Sequence, residues 1–230
     1  MRPFTERLSP AIRNLVVAES VLFGLLVMAA PLRDPMIAQL VLGPGFWSGK
    51  LWQPATSLFV HVDFWGYFFD MIGLWFVGAT IERVLGKRRF LVLFFASGLA
   101  ANLTVAGLMA LMGRPAINPG CGDSVLALFL ALGVAYGRTP VRVWGQLVLQ
   151  ARVLAWILIG MALVSQLFQA AWPSLGGTLV AIGVGYLISD GRTGLLGEFL
   201  AGLRGKPRGG RSNLDVLDGG RGRGGGKYVN

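Results

Sequence analysis

Six apolar segments, separated by polar or broken stretches, limit what this 230-residue chain can fold into more than any other feature. A helix needs about 20 mostly apolar residues to cross a bilayer, and all six segments qualify or nearly qualify. They run at about Asn14–Ala30, Phe64–Val84, Phe90–Met112, Gly120–Tyr136, Val153–Phe168 and Leu175–Ser189. Only 14% of the residues are charged, whereas a soluble domain carries about a quarter. The pattern predicts an all-α, polytopic membrane protein with six transmembrane helices.

The basic residues predict the orientation of these helices. Cytoplasmic loops are enriched in Lys and Arg, and with a cytoplasmic N-terminus only three of the 21 basic residues fall outside, namely Arg33, Lys50 and Arg114. An odd number of helices would place one of the two basic ends on the outer side. The first apolar segment keeps Glu19 and lacks a small-residue cleavage site, so we expect a retained helix. We therefore predict an integral protein of a bacterial cytoplasmic membrane with both termini inside.

Two regions fall outside the predicted spans. The first outer loop, residues 31–63, is long and apolar, but prolines and glycines interrupt it too often for a membrane-crossing helix. We expect a structured, partly embedded loop, with the interfacial tryptophans Trp47 and Trp52 in it. Residues 191–230 are rich in glycine and arginine and cannot bury a core. We therefore divide the chain into a membrane domain, residues 1–190, and a flexible cytoplasmic tail, residues 191–230, whose charges suit lipid headgroups better than nucleic acid.

The stretch "LWQPATSLFVHVDFWGYFFDMIGLWFVGATIERVLGKRRF", from Leu51 to Phe90, carries an ordered set of residues: a Trp, a Phe-x-His, a Gly-x-x-x-Glu, a further Gly and an Arg-Phe. This order resembles the rhomboid intramembrane serine protease family. The resemblance covers roughly residues 50–190 and implies a six-helix bundle with a long first outer loop. The residues that match its scaffold are Trp52, His61, Gly78, Glu82, Gly86, Arg89, Gly120, Gly176 and Gly177.

The same resemblance implies that the catalytic positions are replaced. The family's helix-four motif, Gly-x-Ser-Gly, aligns with "GCGD", which puts Gly122 at the nucleophile and Asp123 at the closing glycine. Ser174 occupies the place of the helix-six histidine. On helix two, Gly66 replaces the second histidine, and Asp70 replaces the asparagine that helps to hold the oxyanion. The chain therefore resembles a degenerate, inactive member of the family.

A shifted alignment leaves Ser124 as a candidate nucleophile, because Gly122-Asp123-Ser124 also reads Gly-x-Ser. A serine hydroxyl needs an adjacent base, and the single histidine of the chain, His61, falls at a structural position of the first outer loop. A carboxylate at Asp70 would also repel a developing oxyanion. We therefore do not expect serine proteolysis, and Ser124 stays an alternative.

The letters "GCGD" also resemble the Gly-x-Gly-Asp motif of the presenilin and signal-peptide-peptidase class. Asp70 on the second helix could then be the partner of Asp123, because two carboxylates can share a proton and activate water. The simpler interpretation places Asp123 at the start of a helix, where free N–H groups stabilise a carboxylate. Aspartate catalysis by Asp70 and Asp123 therefore stays a second alternative.

The sequence as a whole favours a non-catalytic protein that binds transmembrane helices of client or partner proteins, either as a client binder or as a subunit of a membrane complex. We expect the lipid bilayer and a transmembrane segment of another membrane protein as partners, without nucleic acid. No ligand motif for a cofactor or metal is visible, so we expect neither. Cys121 is interpreted as a small packing residue, and Glu82 as a hydrogen-bonding group at the end of the bundle. Four glycines are expected to let the sixth helix approach its neighbours: Gly176, Gly177, Gly183 and Gly185.

Overall fold

The long helices of the protein form a bundle in the computed structural model, which describes residues 9–144 and 147–189. They are α1 (Pro10–Met28), α4 (Phe64–Gly73) continued by a π-helical segment (Leu74–Gly78) and α5 (Ala79–Leu85), α6 (Lys87–Met112), α7 (Gly122–Tyr136), α8 (Ala151–Phe168) and α9 (Trp172–Ser189). Within the described residues, five spans are long and apolar enough to cross a membrane, counting α4 to α5 as one. The remaining long helix, α7, is apolar but has only 15 residues. The predicted all-α membrane fold is confirmed.

Several helix ends differ from the predicted ones for local reasons. Helix α1 begins earlier, at Pro10, because the Ser9 Oγ accepts a hydrogen bond from the Ile12 N–H and caps the helix. Helix α7 begins at Gly122 instead of Gly120, since Gly120 has a φ of +85° that no α-helix contains. Helix α9 begins at Trp172, with a proline in its first turn. The π-helical segment inside the second span was not predicted.

The first loop is structured and contains no membrane-crossing helix. It holds α2 (Ala30–Leu40), a 3₁₀ turn (Pro44–Ser48), α3 (Gln53–Thr56) and a second 3₁₀ turn (Ser57–Phe59). The Trp47 Nε1–H donates to the Ala106 carbonyl at 3.2 Å, and the Trp52 Nε1–H donates to the Gln39 carbonyl at 2.8 Å. Both tryptophans therefore hold the loop through their indole groups.

A short antiparallel hairpin connects α7 to α8 and was not predicted from the sequence. Its strands are β1 (Pro140–Trp144) and β2 (Leu147–Gln150), paired from Pro140 opposite Gln150. The Val-Arg-Val and Leu-Val-Leu runs, which lie between two spans, suit two short strands.

Helix α9 packs most extensively against α6 and α7, and its glycines show why. A Cβ added at Gly177 would lie 2.7 Å from Val105 and 3.0 Å from the Ala101 carbonyl oxygen. At Gly185 a Cβ would lie 2.9 Å from the Ala127 Cβ, and at Gly176 it would overlap Leu108. Missing side chains at these three positions permit close helix packing. Gly183 differs from that expectation, because a Cβ there would meet open space.

The start of α7 lies deep inside the bundle. Its first turn lies beside the first third of the 26-residue helix α6, because Ser124 Oγ donates to the Phe94 carbonyl and a Cβ at Gly98 would overlap that oxygen. With a rise of 1.5 Å per residue, Phe94 lies only about 10 Å along α6. Consequently the turn at residues 118–121, which leads into α7, carries its polar groups into the protein interior. The predicted tail, residues 191–230, lies outside the described residues.

Candidate functional site

Two groups of polar side chains flank the turn before α7. The first, called the histidine cluster, consists of Glu19, His61, Asp70 and Cys121. The second, called the asparagine network, consists of Asn102, Asn118, Asp123 and Thr178. Charged and polar side chains inside a membrane protein are costly and usually functional or tightly paired, so the two groups are the first places to look for function.

The histidine cluster joins four parts of the chain. His61 Nε2 lies 3.0 Å from an Asp70 carboxylate oxygen, and the His61 ring also packs edge-on against Tyr67. The Cys121 thiol donates to Glu19 Oε2 at 3.3 Å and lies 3.8 Å from Asp70 Oδ2. Helix α1, the residues before α4, α4 itself and the turn before α7 therefore converge on one point.

Two polar atoms of the histidine cluster have no hydrogen-bond partner among the described residues. They are Glu19 Oε1 and His61 Nδ1. Glu19 is completely buried and His61 is 3% exposed, and His61 Nδ1 lies 3.9 Å from Glu19 Oε2. Buried polar groups are normally paired, and each exception needs an explanation.

Gly120 makes room for the histidine cluster. Its φ of +85° lies in the left-handed region, where a side chain is unfavourable. A Cβ at Gly120 would also lie 2.9 Å from the His61 ring and 3.4 Å from Asp70 Oδ2. A glycine is required here because the backbone of the turn passes directly against the imidazole.

Hydrogen bonds join all four residues of the asparagine network. Asn102 donates to the Pro54 carbonyl at 2.7 Å and accepts from the Asn118 amide at 2.8 Å. The Asn118 amide also lies 3.1 Å from Asp123 Oδ2, and Thr178 donates to Asp123 Oδ1 at 2.5 Å. The network therefore ties α3, α6, α7 and α9 together. Gln166 on α8 donates to Thr178 at 2.8 Å, while its own Oε1 has no partner among the described residues.

The partners of Asp123 differ from the simple capping interpretation. Asp123 lies in the first turn of α7, whose cap residue is Cys121, without a side-chain cap. Its two oxygens accept from Thr178 and Asn118 instead of from free helix N–H groups. The hydrogen bonds of Asp70 go to the histidine cluster. The two candidate catalytic aspartates thus lie on either side of Gly122 with different partners.

Ser124, the alternative nucleophile, is completely buried. Its hydroxyl donates to the Phe94 carbonyl at 2.8 Å, and a Cβ at Gly98 would overlap its oxygen. The hydroxyl therefore lies in the contact between α7 and α6, whereas His61 belongs to the histidine cluster.

The positions that replace the protease residues are spread over different surroundings. A Cβ at Gly122 would meet the Asp70 carboxylate first, at 3.4 Å. Gly66 lies in the first turn of α4, where its N–H donates to the helix-capping carboxylate of Asp63 at 2.7 Å. Ser174 is half-buried in the first turn of α9. Gly122 therefore lies next to Asp70, a member of the histidine cluster.

The matched scaffold residues lie at the ends of helices or in the contacts between them. Glu82 is buried and accepts a hydrogen bond from Ser9, the capping residue of α1. Gly78 lies against Leu74 and Phe90. Gly86 separates α5 from α6 with a φ of +80°, and the half-buried Arg89 follows in the first turn of α6.

Sequence reasoning missed Glu19 as part of a site and interpreted Cys121 as packing. Cys121 is indeed completely buried, but two carboxylates and an imidazole surround it. A signal for Glu19 was present, because it lies on the buried stripe of α1 with Ile12, Leu15 and Leu26. A glutamate in an apolar stripe predicts a polar partner across the interface.

The comparisons with known proteins agree with this architecture. Residues 48–191 match the Rhomboid domain family. The Rhomboid protease GluP of Bacillus subtilis (strain 168) is 31% identical over 55 residues, which are 24% of this chain and 11% of that protein. The Putative rhomboid protease YdcA of the same organism is 30% identical over 59 residues, 26% of this chain and 30% of that protein. The chain therefore matches less than a third of the length of either relative.

Proposed function

The chain belongs to the rhomboid family, and from that premise we propose that it is a non-catalytic member that binds transmembrane helices of other membrane proteins. The observation that carries the proposal is the surroundings of Ser124. This serine is the closest sequence match to a nucleophile beside the Gly122 position, and its hydroxyl donates to the Phe94 carbonyl inside a helix contact. A nucleophilic serine needs a base within hydrogen-bond distance, and the single histidine is paired with Asp70.

The surroundings of Gly122 support the same proposal. An oxyanion is stabilised by hydrogen-bond donors that point to it. Here the carboxyl group of Asp70, which pairs with His61, occupies the space next to Gly122, where an oxyanion would need donors that point to it. Serine chemistry at this position would require a serine at Gly122, a histidine at Ser174 and removal of the Asp70 carboxyl group.

We propose the aromatic face of α4 as the surface for the partner helix. Its exposed members are Phe64, Trp65, Phe68 and Phe69, whose rings stack on one another. Aromatic side chains lose little conformational entropy on contact and dominate many interfaces. A transmembrane helix of another protein is the occupant that suits an apolar surface at membrane depth.

Activity-based labelling tests the absence of catalysis. The full chain, purified in detergent, should neither react with a fluorophosphonate probe nor cleave transmembrane substrates. Labelling that disappears in Ser124→Ala would establish an activated serine and overturn the proposal. Cleavage that survives Ser124→Ala but disappears in both Asp70→Asn and Asp123→Asn would establish the aspartate alternative instead.

Site-specific photo-crosslinking in living cells tests the binding surface. A photoreactive amino acid at Phe69, which is 63% exposed, should capture discrete membrane proteins. The matched control is Trp156 on α8, which is 60% exposed. Equal capture from both positions, or capture of lipid alone, would contradict a specific surface on α4.

We propose the orientation from the distribution of basic residues. Reporter fusions after Gly137 and Arg192 should report the cytoplasm, and a fusion after Arg114 should report the outer side, because Lys and Arg concentrate in cytoplasmic loops. A C-terminal reporter on the outer side would contradict both the orientation and an even number of spans.

A further inference from the structure

The histidine cluster contains the ligand atoms of a metal site. Glu19, His61 and Cys121 each offer one ligand atom, and these atoms all lie within 4.8 Å of one another. Carboxylate oxygen, imidazole nitrogen and thiolate sulfur are the three donor types that bind Zn²⁺ in proteins. The combination excludes hard cations such as Mg²⁺ and Ca²⁺, which prefer oxygen ligands alone.

We propose that Glu19, His61 and Cys121 bind a zinc ion, with Asp70 as the residue that orients the imidazole. The proposal is independent of the proposed function, since an ion at this place could stabilise an active or an inactive bundle. It links α1, the residues before α4 and the turn before α7, three elements that are far apart in the chain.

The unpaired atoms of the cluster identify the ligands. His61 donates or accepts through Nε2 toward Asp70 at 3.0 Å, which leaves Nδ1 without a partner. A zinc-bound histidine typically donates its other ring N–H to a carboxylate, and this second hydrogen bond orients the ring. Nδ1 is therefore the zinc ligand, and Asp70 is its positioning residue.

Glu19 completes the coordination. Its Oε1 has no partner among the described residues, while Oε2 lies 3.3 Å from Cys121 Sγ and 3.9 Å from His61 Nδ1. Neighbouring ligands of a tetrahedral zinc ion are about 3.4–3.6 Å apart, given the usual zinc–ligand distances. Both spacings come close to that value, so the ion fits after small movements, with one Glu19 oxygen, His61 Nδ1 and Cys121 Sγ as its three protein ligands and the fourth position left for a water molecule.

Metal binding also explains why a thiol, two carboxyl groups and an imidazole are gathered in the interior. Zinc binding displaces the proton of the Cys121 thiol, which leaves as a free proton. The ion then neutralises the negative ligands, so that the cost of burying them is offset. The asparagine network needs no such ion, because hydrogen bonds join its four residues to one another and to the Pro54 carbonyl.

Cobalt binding is the direct test, because the chain has one cysteine and one histidine. The full chain is purified in detergent with a histidine-free tag, treated with a chelator and titrated with Co²⁺. We expect one Co²⁺ per chain and a thiolate-to-cobalt absorption band, which in this chain can come from Cys121 alone. Competition with Zn²⁺ should abolish the band.

Substitutions assign the roles. Cys121→Ser should abolish the band, and His61→Ala and Glu19→Gln should each weaken Co²⁺ binding at least about 100-fold. Asp70→Asn should weaken it about 10–100-fold, the usual effect of a partner that orients a ligand, while the band at saturation stays unchanged. The matched control is Glu82→Gln, another buried carboxyl group in the same span as Asp70, which should bind Co²⁺ like the wild type.

Thermal unfolding of the wild type provides a test that does not depend on any variant. Excess Zn²⁺ should raise the unfolding midpoint of the chelator-treated protein by several degrees, because it binds the folded state alone. A folded wild type without the thiolate band, or with no response to Zn²⁺, would overturn the proposal. Equal Co²⁺ affinity in wild type and in folded Cys121→Ser would do the same.

Discussion

The histidine cluster and the asparagine network lie on the two sides of one turn, residues 118–121, but they differ in how completely their polar atoms are paired. In the asparagine network, Asp123 and Asn118 find partners on neighbouring helices. In the histidine cluster, Glu19 and His61 each keep an unpaired atom. A paired network stabilises a bundle without any ligand, whereas buried unpaired ligand atoms indicate a place for an ion. The difference separates a structural group from a binding group.

The largest effect is expected at Gly120, the residue that separates the two groups. Gly120→Ala combines a left-handed φ with a contact of 2.9 Å to the His61 ring. We expect a loss of about 2–4 kcal/mol in unfolding free energy, measured by denaturant titration in detergent micelles.

Gly107→Ala is the matched control, because a Cβ at Gly107 on α6 meets open space. This variant should be neutral or stabilised by up to about 1 kcal/mol, since alanine favours a helix over glycine. Equal stability of the two variants would show that the turn does not press against His61.

A smaller effect is expected for the asparagine network. Asp123→Asn places an amide between the Thr178 hydroxyl and the Asn118 side chain, and one of the two hydrogen bonds is lost. The expected destabilisation is about 1–2 kcal/mol, because interhelical hydrogen bonds in membranes contribute modestly.

Asp70→Asn sharpens the comparison in the same assay. Without metal it should cost less than Asp123→Asn, because an amide still pairs with His61. With excess Zn²⁺ the difference in unfolding free energy between the two variants should become smaller or change sign. The reason is that Asp70→Asn weakens Zn²⁺ binding and Asp123→Asn does not. If Zn²⁺ leaves the unfolding free energy of both variants unchanged, the proposed difference between the histidine cluster and the asparagine network is contradicted.

The smallest effect is expected at Ser124. Ser124→Ala removes one hydrogen bond to the Phe94 carbonyl and should cost about 0.5–1.5 kcal/mol. Partner capture from Phe69 should stay unchanged, because Ser124 has a packing role in the proposed function. A loss of capture at unchanged stability would show that this serine has a functional role.

The fold was largely predictable, because membrane spans are determined by local composition. The apolar segments needed no information about neighbours, and the family's scaffold residues lie in the predicted order. The hairpin of β1 and β2 and the π-helical segment were missed, since both depend on short stretches whose conformation neighbouring elements determine. Helix α7 was predicted two residues too long at its start, because Gly120 gives no local sign of its positive φ.

The candidate site was predictable only in part. The sequence singled out Asp70, Gly122, Asp123 and Ser124 as candidate residues, but it did not show which side chains surround them. Glu19 lies 102 positions from Cys121 in the chain, and no spacing rule connects two residues at such a distance. Cys121 was assigned to packing because no base stands beside it in the sequence.

The sequence by itself determined the membrane class and the apolar segments that form the long helices. These features depend on composition and on residues that are close together in the chain. The tertiary structure decided which polar groups meet. Helix α7 starts in the middle of the bundle, so its first turn brings Asp123 to Thr178 and its cap residue Cys121 lies against Glu19. Because polar groups in an apolar interior pair only with what the packing brings near, their roles follow from helix depth and direction, which no local pattern encodes.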